Sequence, residues 1–232
     1  MIKLNSKIGI LFFIGFCFFK LNLHAQEYDV VWNNLVGMTF DQNNNLLTKT
    51  SSNGWSNAGA LSENKLKKNT DGYISYLIED VSTKRFIGLS TDNSEPSFNH
   101  VDYGFYQKNN RLFIIEDGRV RGFYGRIAVG DVIIVERASN HIHYKKNNAI
   151  LRRTVTKPNF TLYSDVSIYN PNGTISGLKT SFPIDIKVQF STTNVTCSTS
   201  EYGSVDATIT GGLPPYTISW DNGETTEDLT EL

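Results

Sequence analysis

The sequence predicts an all-β protein built around a two-sheet sandwich. Three observations carry that expectation. No segment sustains a 3.6-residue apolar period, whereas several short runs alternate with period two. Roughly a dozen such runs follow one another at short spacing, which is the rhythm of a sandwich. Aromatic residues make up 12% of the chain and β-branched residues are plentiful, so the chain can bury a core and is not disordered.

The strands can be justified in order. Ile74, Tyr76 and Ile78 alternate with Ser75, Leu77 and Glu79. Residues 86–89 form a short apolar run. Val101, Tyr103 and Phe105 alternate with Asp102, Gly104 and Tyr106, and residues 112–115 are apolar on both faces. Glu116-Asp117-Gly118-Arg119 predicts a hairpin, because Asp-Gly supplies the positive φ of a type I′ turn. Residues 132–135 are again apolar on both faces. Lys146-Asn147-Asn148 predicts a turn between strands at 141–144 and 149–155. Ile184, Ile186, Val188 and Phe190 against Asp185, Lys187 and Gln189 give the cleanest alternation in the chain, and this strand is expected to end the sandwich. Strands apolar on both faces should be central and alternating ones outer.

The N-terminus has a different character. Lys3 and Lys7 precede residues 8–19, which carry no charge, and a polar stretch leads to Ala25. A basic segment, a short apolar segment and a small residue at the cut together predict a secretory signal peptide over 1–25. Twelve apolar residues are too few for a membrane span, which needs about 20. Removing 1–25 takes away three lysines and no acid, so the net charge moves from −1 to −4. Nothing in that balance points to nucleic acid or an anionic membrane. Cys197 is then the one cysteine of the mature chain, an odd count for a secreted protein.

The C-terminal stretch 197–232 opens with Cys197. Gly203-Ser204-Val205-Asp206-Ala207-Thr208-Ile209 follows, then Gly211-Gly212-Leu213-Pro214-Pro215-Tyr216-Thr217-Ile218-Ser219-Trp220 and Asp221-Asn222-Gly223. Its alternation and turn signals predict two short strands, too few to bury a core alone. The stretch resembles the first half of an SprB repeat, the module repeated along gliding-motility adhesins of Gram-negative bacteria. The resemblance implies a secreted or outer-surface protein. It also implies that further repeats follow Leu232, with a partner there for Cys197. The expected division is a signal peptide at 1–25, a sandwich at 26–190, a linker at 191–196 and a partial repeat at 197–232.

Within the sandwich, Gly54-Trp55-Ser56-Asn57-Ala58-Gly59-Ala60, Phe86-Ile87-Gly88-Leu89-Ser90 and Asp102-Tyr103-Gly104-Phe105-Tyr106 come in that order. Gly130-Asp131-Val132-Ile133-Ile134-Val135 and Tyr144-Lys145-Lys146-Asn147-Asn148 follow. These pieces resemble a SPRY-like domain of the concanavalin A-like jelly-roll class. That resemblance implies a jelly-roll that binds a ligand and is not an enzyme.

The chemistry-bearing residues support binding over catalysis. Glu79-Asp80 and Glu116-Asp117 are adjacent acids, which in a strand point to opposite faces, and both are expected to be solvated turn acids. His141 and His143 share a strand face, but no third ligand stands at metal-binding spacing, so they are expected on a solvent-facing strand with Ile142 and Tyr144 inward. Asp41-Gln42-Asn43-Asn44-Asn45 lacks the glycine of a calcium loop and reads as a hairpin tip. No catalytic residue, metal or cofactor is assigned. Trp55 is expected to pack under the sandwich. Tyr106, Arg121 and Tyr124 fall near loop ends and are the candidate ligand contacts, because aromatics and Arg dominate binding hot spots. The expected partner is a glycan or a surface protein, with a jelly-roll polysaccharide hydrolase or lyase and a purely structural spacer as alternatives. N-terminal sequencing of the exported protein is expected to begin at Gln26. A product that retains residues 12–19 would contradict the signal-peptide assignment.

Overall fold

The computed structural model describes residues 26–91, 101–156, 159–194, 202–212 and 215–232. These form eighteen strands and no helix. The signal segment, Asp92 to Glu95 and Cys197 lie outside the described residues.

Two antiparallel sheets face one another. The six-stranded sheet runs β1 (Tyr28–Asp29), β16 (Lys179–Thr180), β6 (Gly72–Leu77), β11 (Val132–Ala138), β12 (His141–Lys146) and β13 (Ala149–Val155). The seven-stranded sheet runs β10 (Arg119–Arg126), β9 (Arg111–Glu116), β8 (Tyr103–Lys108), β7 (Arg85–Ser90), β14 (Leu162–Ile168), β5 (Gly59–Leu66) and β2 (Trp32–Val36). A small sheet of β15 (Thr174–Ser176), β4 (Leu46–Lys49) and β3 (Met38–Asp41) adds Leu47, Met38 and Ile175 to the same core. The fold is therefore the expected all-β sandwich.

The pleat puts alternate residues on opposite faces, and the core follows that rule. Ile74, Tyr76, Val135, Ile142 and Tyr144 from one sheet meet Ile87, Leu89, Phe105, Leu112, Ile114 and Val166 from the other. Phe105 and Tyr144 touch edge to face with ring centroids 5.6 Å apart. His141 and His143 lie on the opposite face of β12 from the buried Ile142 and Tyr144, as expected. Both predicted hairpins are present. Asp117 and Gly118 have φ of 49° and 67° between paired Glu116 and Arg119. Asn147 and Asn148 have φ of 49° and 64° between paired Lys146 and Ala149. Asparagine tolerates this left-handed region, so it replaces glycine there.

Three buried cations anchor the loops. Arg137 is fully buried on β11, and its guanidinium donates to the carbonyls of Thr70 (2.8 Å), Phe160 (2.7 Å) and Lys67. Arg85 opens β7, pairs with Asp80 and donates to the Thr174 carbonyl at 2.8 Å. Lys49 ends β4 and is taken up below. Burial alone would raise the Asp80 carboxyl, but hydrogen bonds from Ser82 and Thr83 hold it well below the usual carboxylate range.

Two expectations change. Glu116 is not a solvated turn acid. It is 4% exposed, and Arg152 of β13 grips it with Nε at 2.8 Å and Nη2 at 3.0 Å. Arg121 adds a third contact at 3.2 Å. This cluster joins β9 and β10 to β13, the edge strand of the other sheet, and so latches the two sheets along one open side. The strand expected to end the sandwich also belongs elsewhere. It is β17 (Lys187–Thr193), exposed throughout, and it pairs over its full length with β18 (Ser204–Thr210). The expected linker therefore begins inside a strand. Lys65 and Lys67 bind Asp185 at 2.8 and 3.2 Å, and Lys187 binds Glu63, so β5 holds the approach to this hairpin.

Replacing Glu116 by Gln removes the charge that Arg121 and Arg152 share. The expected loss is about 1–3 kcal/mol, because hydrogen bonds to charged groups lie in that range. Equilibrium urea unfolding of the variant checks it, and an unchanged midpoint would contradict the latch.

Candidate functional site

The outer face of the seven-stranded sheet carries a second apolar cluster, separate from the core. Phe86, Val101 and Ile115 are buried there, with Trp55 and Tyr106 packed over them. This explains why β7 and β9 are apolar on both faces: each is covered on its outer side as well. Glycine makes the close packing possible. A Cβ at Gly104 would lie 2.2 Å from the Phe86 ring, and one at Gly88 would lie 2.2 Å from the Tyr103 carbonyl oxygen.

Above this floor the rings form a continuous row. Tyr169 meets Trp55 at 5.3 Å between centroids, Trp55 meets Tyr106 at 5.5 Å, Tyr106 meets Phe113 at 5.7 Å and Phe113 meets Phe123 at 5.6 Å. The register produces most of it. Phe86 pairs with Tyr106, Tyr106 with Phe113, and Phe113 with Phe123, so one cross-strand line of positions is aromatic over four strands. Such cross-strand pairs stabilise a sheet by about 0.2–1 kcal/mol each. Phe123, on edge strand β10, is half exposed, and the other rings of the row are partly buried. Burial and the neighbouring Tyr169 raise the Tyr106 hydroxyl above its ordinary pKa.

Trp55 and Tyr169 come from outside the paired line, and Lys49 places them. Its Nζ is buried and donates to the carbonyls of Gly54 (2.7 Å), Ile168 (2.8 Å) and Tyr169 (2.9 Å) and to Asn57 Oδ1 (3.0 Å). Burial lowers its pKa, and no carboxylate contacts it among the described residues. The Ser167 hydroxyl adds donation to the Ala58 carbonyl at 2.7 Å and lies 3.3 Å from that of Trp55. The loop carrying Trp55 is thus tied to the end of β14.

The predicted ligand residues divide. Tyr106 is in the centre of the ring row. Arg121 lies against Glu116 and Asp117, and Tyr124 packs on the main core with its hydroxyl 3.5 Å from Arg152. These two belong to the latch and do not join Tyr106. Trp55 packs outside the seven-stranded sheet instead of between the sheets, because the Lys49 tether draws its loop over the outer face. Sequence reasoning missed Phe113, Phe123 and Tyr169. The first was within reach, since pairing the 103–108 and 111–116 runs across Asn109-Asn110 sets Phe113 opposite Tyr106.

A concavity of about 420 Å³ opens at one end of the sandwich, lined by Asp102, Tyr103, Asp117, Thr156 and Phe160 among others. Asp102 accepts hydrogen bonds there from the backbone and hydroxyl of Thr91 at 2.6 and 2.9 Å. His143 lies 3.0 Å from Glu136, which Lys145 also binds at 2.6 Å. Among the described residues no group of three or more His, Cys, Asp or Glu could hold a metal ion. No helix among them is long and apolar enough to cross a membrane.

Replacing Lys49 by Met takes the ammonium away from the Gly54, Ile168 and Tyr169 carbonyls, of which Tyr169 keeps the Gly54 N–H at 3.2 Å. Each group left unpaired costs about 1–3 kcal/mol before relaxation, and the expected net destabilisation is about 3–5 kcal/mol. Thermal unfolding reads the loss, and greater acrylamide quenching of tryptophan emission reads the release of Trp55. A variant with unchanged stability and quenching would contradict the tether.

Comparison with known proteins places the C-terminal hairpin. Residues 190–225 match the family model described as SprB repeat. Among solved structures, the chain is similar to the SPRY domain of human HERC1, at 16% identity over 62% of this chain and 91% of that one, with a TM-score of 0.43. It is also similar to the TRIM65 PSpry domain, at 9% identity over 67% and 89%, TM-score 0.44. Alginate lyase A1-II′, a member of polysaccharide lyase family 7, is similar at 8% identity over 64% and 80%, TM-score 0.38. No curated protein matches the chain. The SprB match begins inside β17 and takes in β18, so the hairpin that the ladder separates from the sandwich is the repeat segment. The chain therefore joins an all-β sandwich to a segment that matches the SprB repeat model.

Proposed function

We propose that this is a surface or secreted adhesin-type protein whose sandwich binds a glycan or protein ligand on the outer face of the seven-stranded sheet, with the SprB repeat segment as the start of a stalk. The observation that carries the reading is the ring row Tyr169, Trp55, Tyr106, Phe113 and Phe123. A fold needs its aromatics inside. This chain instead places five on one outer face, tilted and half covered, where they offer apolar area with little rotamer entropy left to lose. Tyr106 adds a hydroxyl to that surface. The apolar CH faces of sugars or the side chains of a partner protein can both lie on such a row. Stalk repeats favour weak, repeated contacts, because several copies on one surface raise avidity without a tight single site.

This reading moves the ligand surface away from the loop end of the sandwich. Tyr106 remains a contact, and Arg121 and Tyr124 become parts of the sheet closure. Phe123→Ala and Tyr106→Ala are expected to weaken binding in a glycan-array or cell-adhesion assay by about tenfold, the effect of losing an interface hot spot of 1–2 kcal/mol. Phe123→Ala should leave the melting temperature nearly unchanged, since that ring is half exposed. Arg121→Ala and Tyr124→Ala should lower stability and spare binding. Normal binding by both ring variants would overturn the proposal. So would release of reducing or unsaturated sugar from a polysaccharide panel, which would make the face part of an enzyme.

A further inference from the structure

We propose that the ligand of the outer face is an acidic polysaccharide, gripped by a line of four cations, Lys84, Lys108, Arg111 and Arg126, that runs beside the ring row. The inference rests on the reading of that face as the ligand surface and deepens it.

The line follows from the pleat. Residues two apart on a strand share a face. Lys108 stands two after Tyr106, Arg111 two before Phe113, and Lys84 two before Phe86. The register aligns them. Lys108 pairs directly with Arg111, and Arg111 with Arg126. The pairing of Arg85 with Gln107 sets Lys84 level with Lys108. Strands lie about 4.8 Å apart, so four neighbouring strands spread these charges over about 14 Å. That length suits a short run of linked sugar rings, with the ring row alongside it.

Two of the cations are already seated on the rings. The Arg111 guanidinium lies 4.9 Å from the Phe123 ring centroid and 5.5 Å from that of Phe113, and the Lys84 ammonium lies 4.8 Å from that of Tyr169. Arg126 donates to Asn110 Oδ1 at 2.9 Å. Among the described residues none of the four reaches a carboxylate. Cations elsewhere do: Lys145 binds Glu136, Lys146 binds Asp131, Lys179 binds Asp29, and Lys65 and Lys67 bind Asp185. Like charges placed directly opposite on neighbouring strands destabilise a sheet. Here two such pairings follow one another, in a chain whose net charge is −1. A bound polyanion relieves that repulsion.

A sugar acid fits better than a nucleic acid. Successive rings meet at 57°, 81°, 31° and 54°, so they present tilted edges and partial faces and no parallel platform on which bases could stack. A chain of net charge −1 also lacks the broad positive field that draws nucleic acids.

The test uses the full chain and four immobilised probes: polygalacturonate for carboxylate, dextran sulfate for sulfate, neutral dextran and oligo-dT. Binding is expected to polygalacturonate, dextran sulfate or both, and to fall about tenfold or more between about 0.05 M and 0.5 M salt. The double variant Lys108→Glu/Arg111→Glu should lose binding by at least about tenfold. Melting temperature verifies folding, with Lys108→Gln/Arg111→Gln as the milder pair should the first not fold. Equal binding to neutral dextran, lost in Tyr106→Ala but not in the charge variants, would overturn the acidic ligand and leave the ring face standing. Preference for oligo-dT would overturn the sugar. Retained acidic binding in the charge variants would overturn the cation line. No binding to any probe would count against both this inference and the proposed glycan surface.

Discussion

The Lys49 ammonium is the constraint on which the outer face depends. A buried cation without a carboxylate is costly unless every donor is used. Here four oxygens surround Nζ, three of them backbone carbonyls from two segments far apart in the chain. Satisfying the charge therefore forces the Gly54–Asn57 turn to lie beside the end of β14, and Trp55 and Tyr169 come into contact as a result. Backbone geometry reinforces the arrangement. Gly37 has φ of +55°, and a Cβ there would stand 2.0 Å from the Asn57 carbonyl oxygen, so the neighbouring turn leaves room only for glycine. Rigid placement of a ring row by buried polar contacts is what a binding surface needs if little entropy is to be lost on contact.

The two sheets use charge differently. On the six-stranded sheet, cations and acids interleave and neutralise one another, as Glu136 and Lys145 do, with His143 within 3.0 Å of the same carboxylate. Along the open side, Glu116 gathers Arg121 and Arg152 and closes the sandwich. Only on the ring-bearing face do cations stand in line with no acid among the described residues within reach. Apolar rings and cations without a carboxylate partner among the described residues thus coincide on one surface.

Much of the sandwich was legible in the sequence because its signals are local. Asp117-Gly118 and Asn147-Asn148 adopt positive φ for reasons contained in the residues themselves, and alternation sorted Ile142 and Tyr144 inward from His141 and His143. What stayed hidden depends on distant partners. Glu116 looks like a turn acid until Arg152, 36 residues away, is brought to it. Lys49 looks like an ordinary surface lysine until segments 119 and 120 residues away supply its acceptors. The alternation through Ile184, Ile186, Val188 and Phe190 was real, but period two does not say which sheet a strand joins, and β18 claimed it. The candidate site was half legible for the same reason. Tyr106 could be named from its loop-end position, whereas the row it belongs to exists only once four strands are in register.

The repeat segment is anchored to the sandwich through β5, by Asp185 with Lys65 and Lys67 and by Lys187 with Glu63. Both ends of this joint are charged and partly exposed, so its ion pairs are screened by salt and weak individually. The ring face lies on the same seven-stranded sheet as β5, so the repeat segment is tied to the sheet that carries the rings. The most direct test of the account is an NMR titration of the full chain with a short oligogalacturonate. The account predicts shifts in the Trp55 indole and in the amides of Tyr106, Lys108, Arg111, Phe113 and Phe123. Shifts confined to the end cavity, at Thr91, Asp102, Asp117 and Thr156, would contradict it and return the ligand site to the loop end of the sandwich.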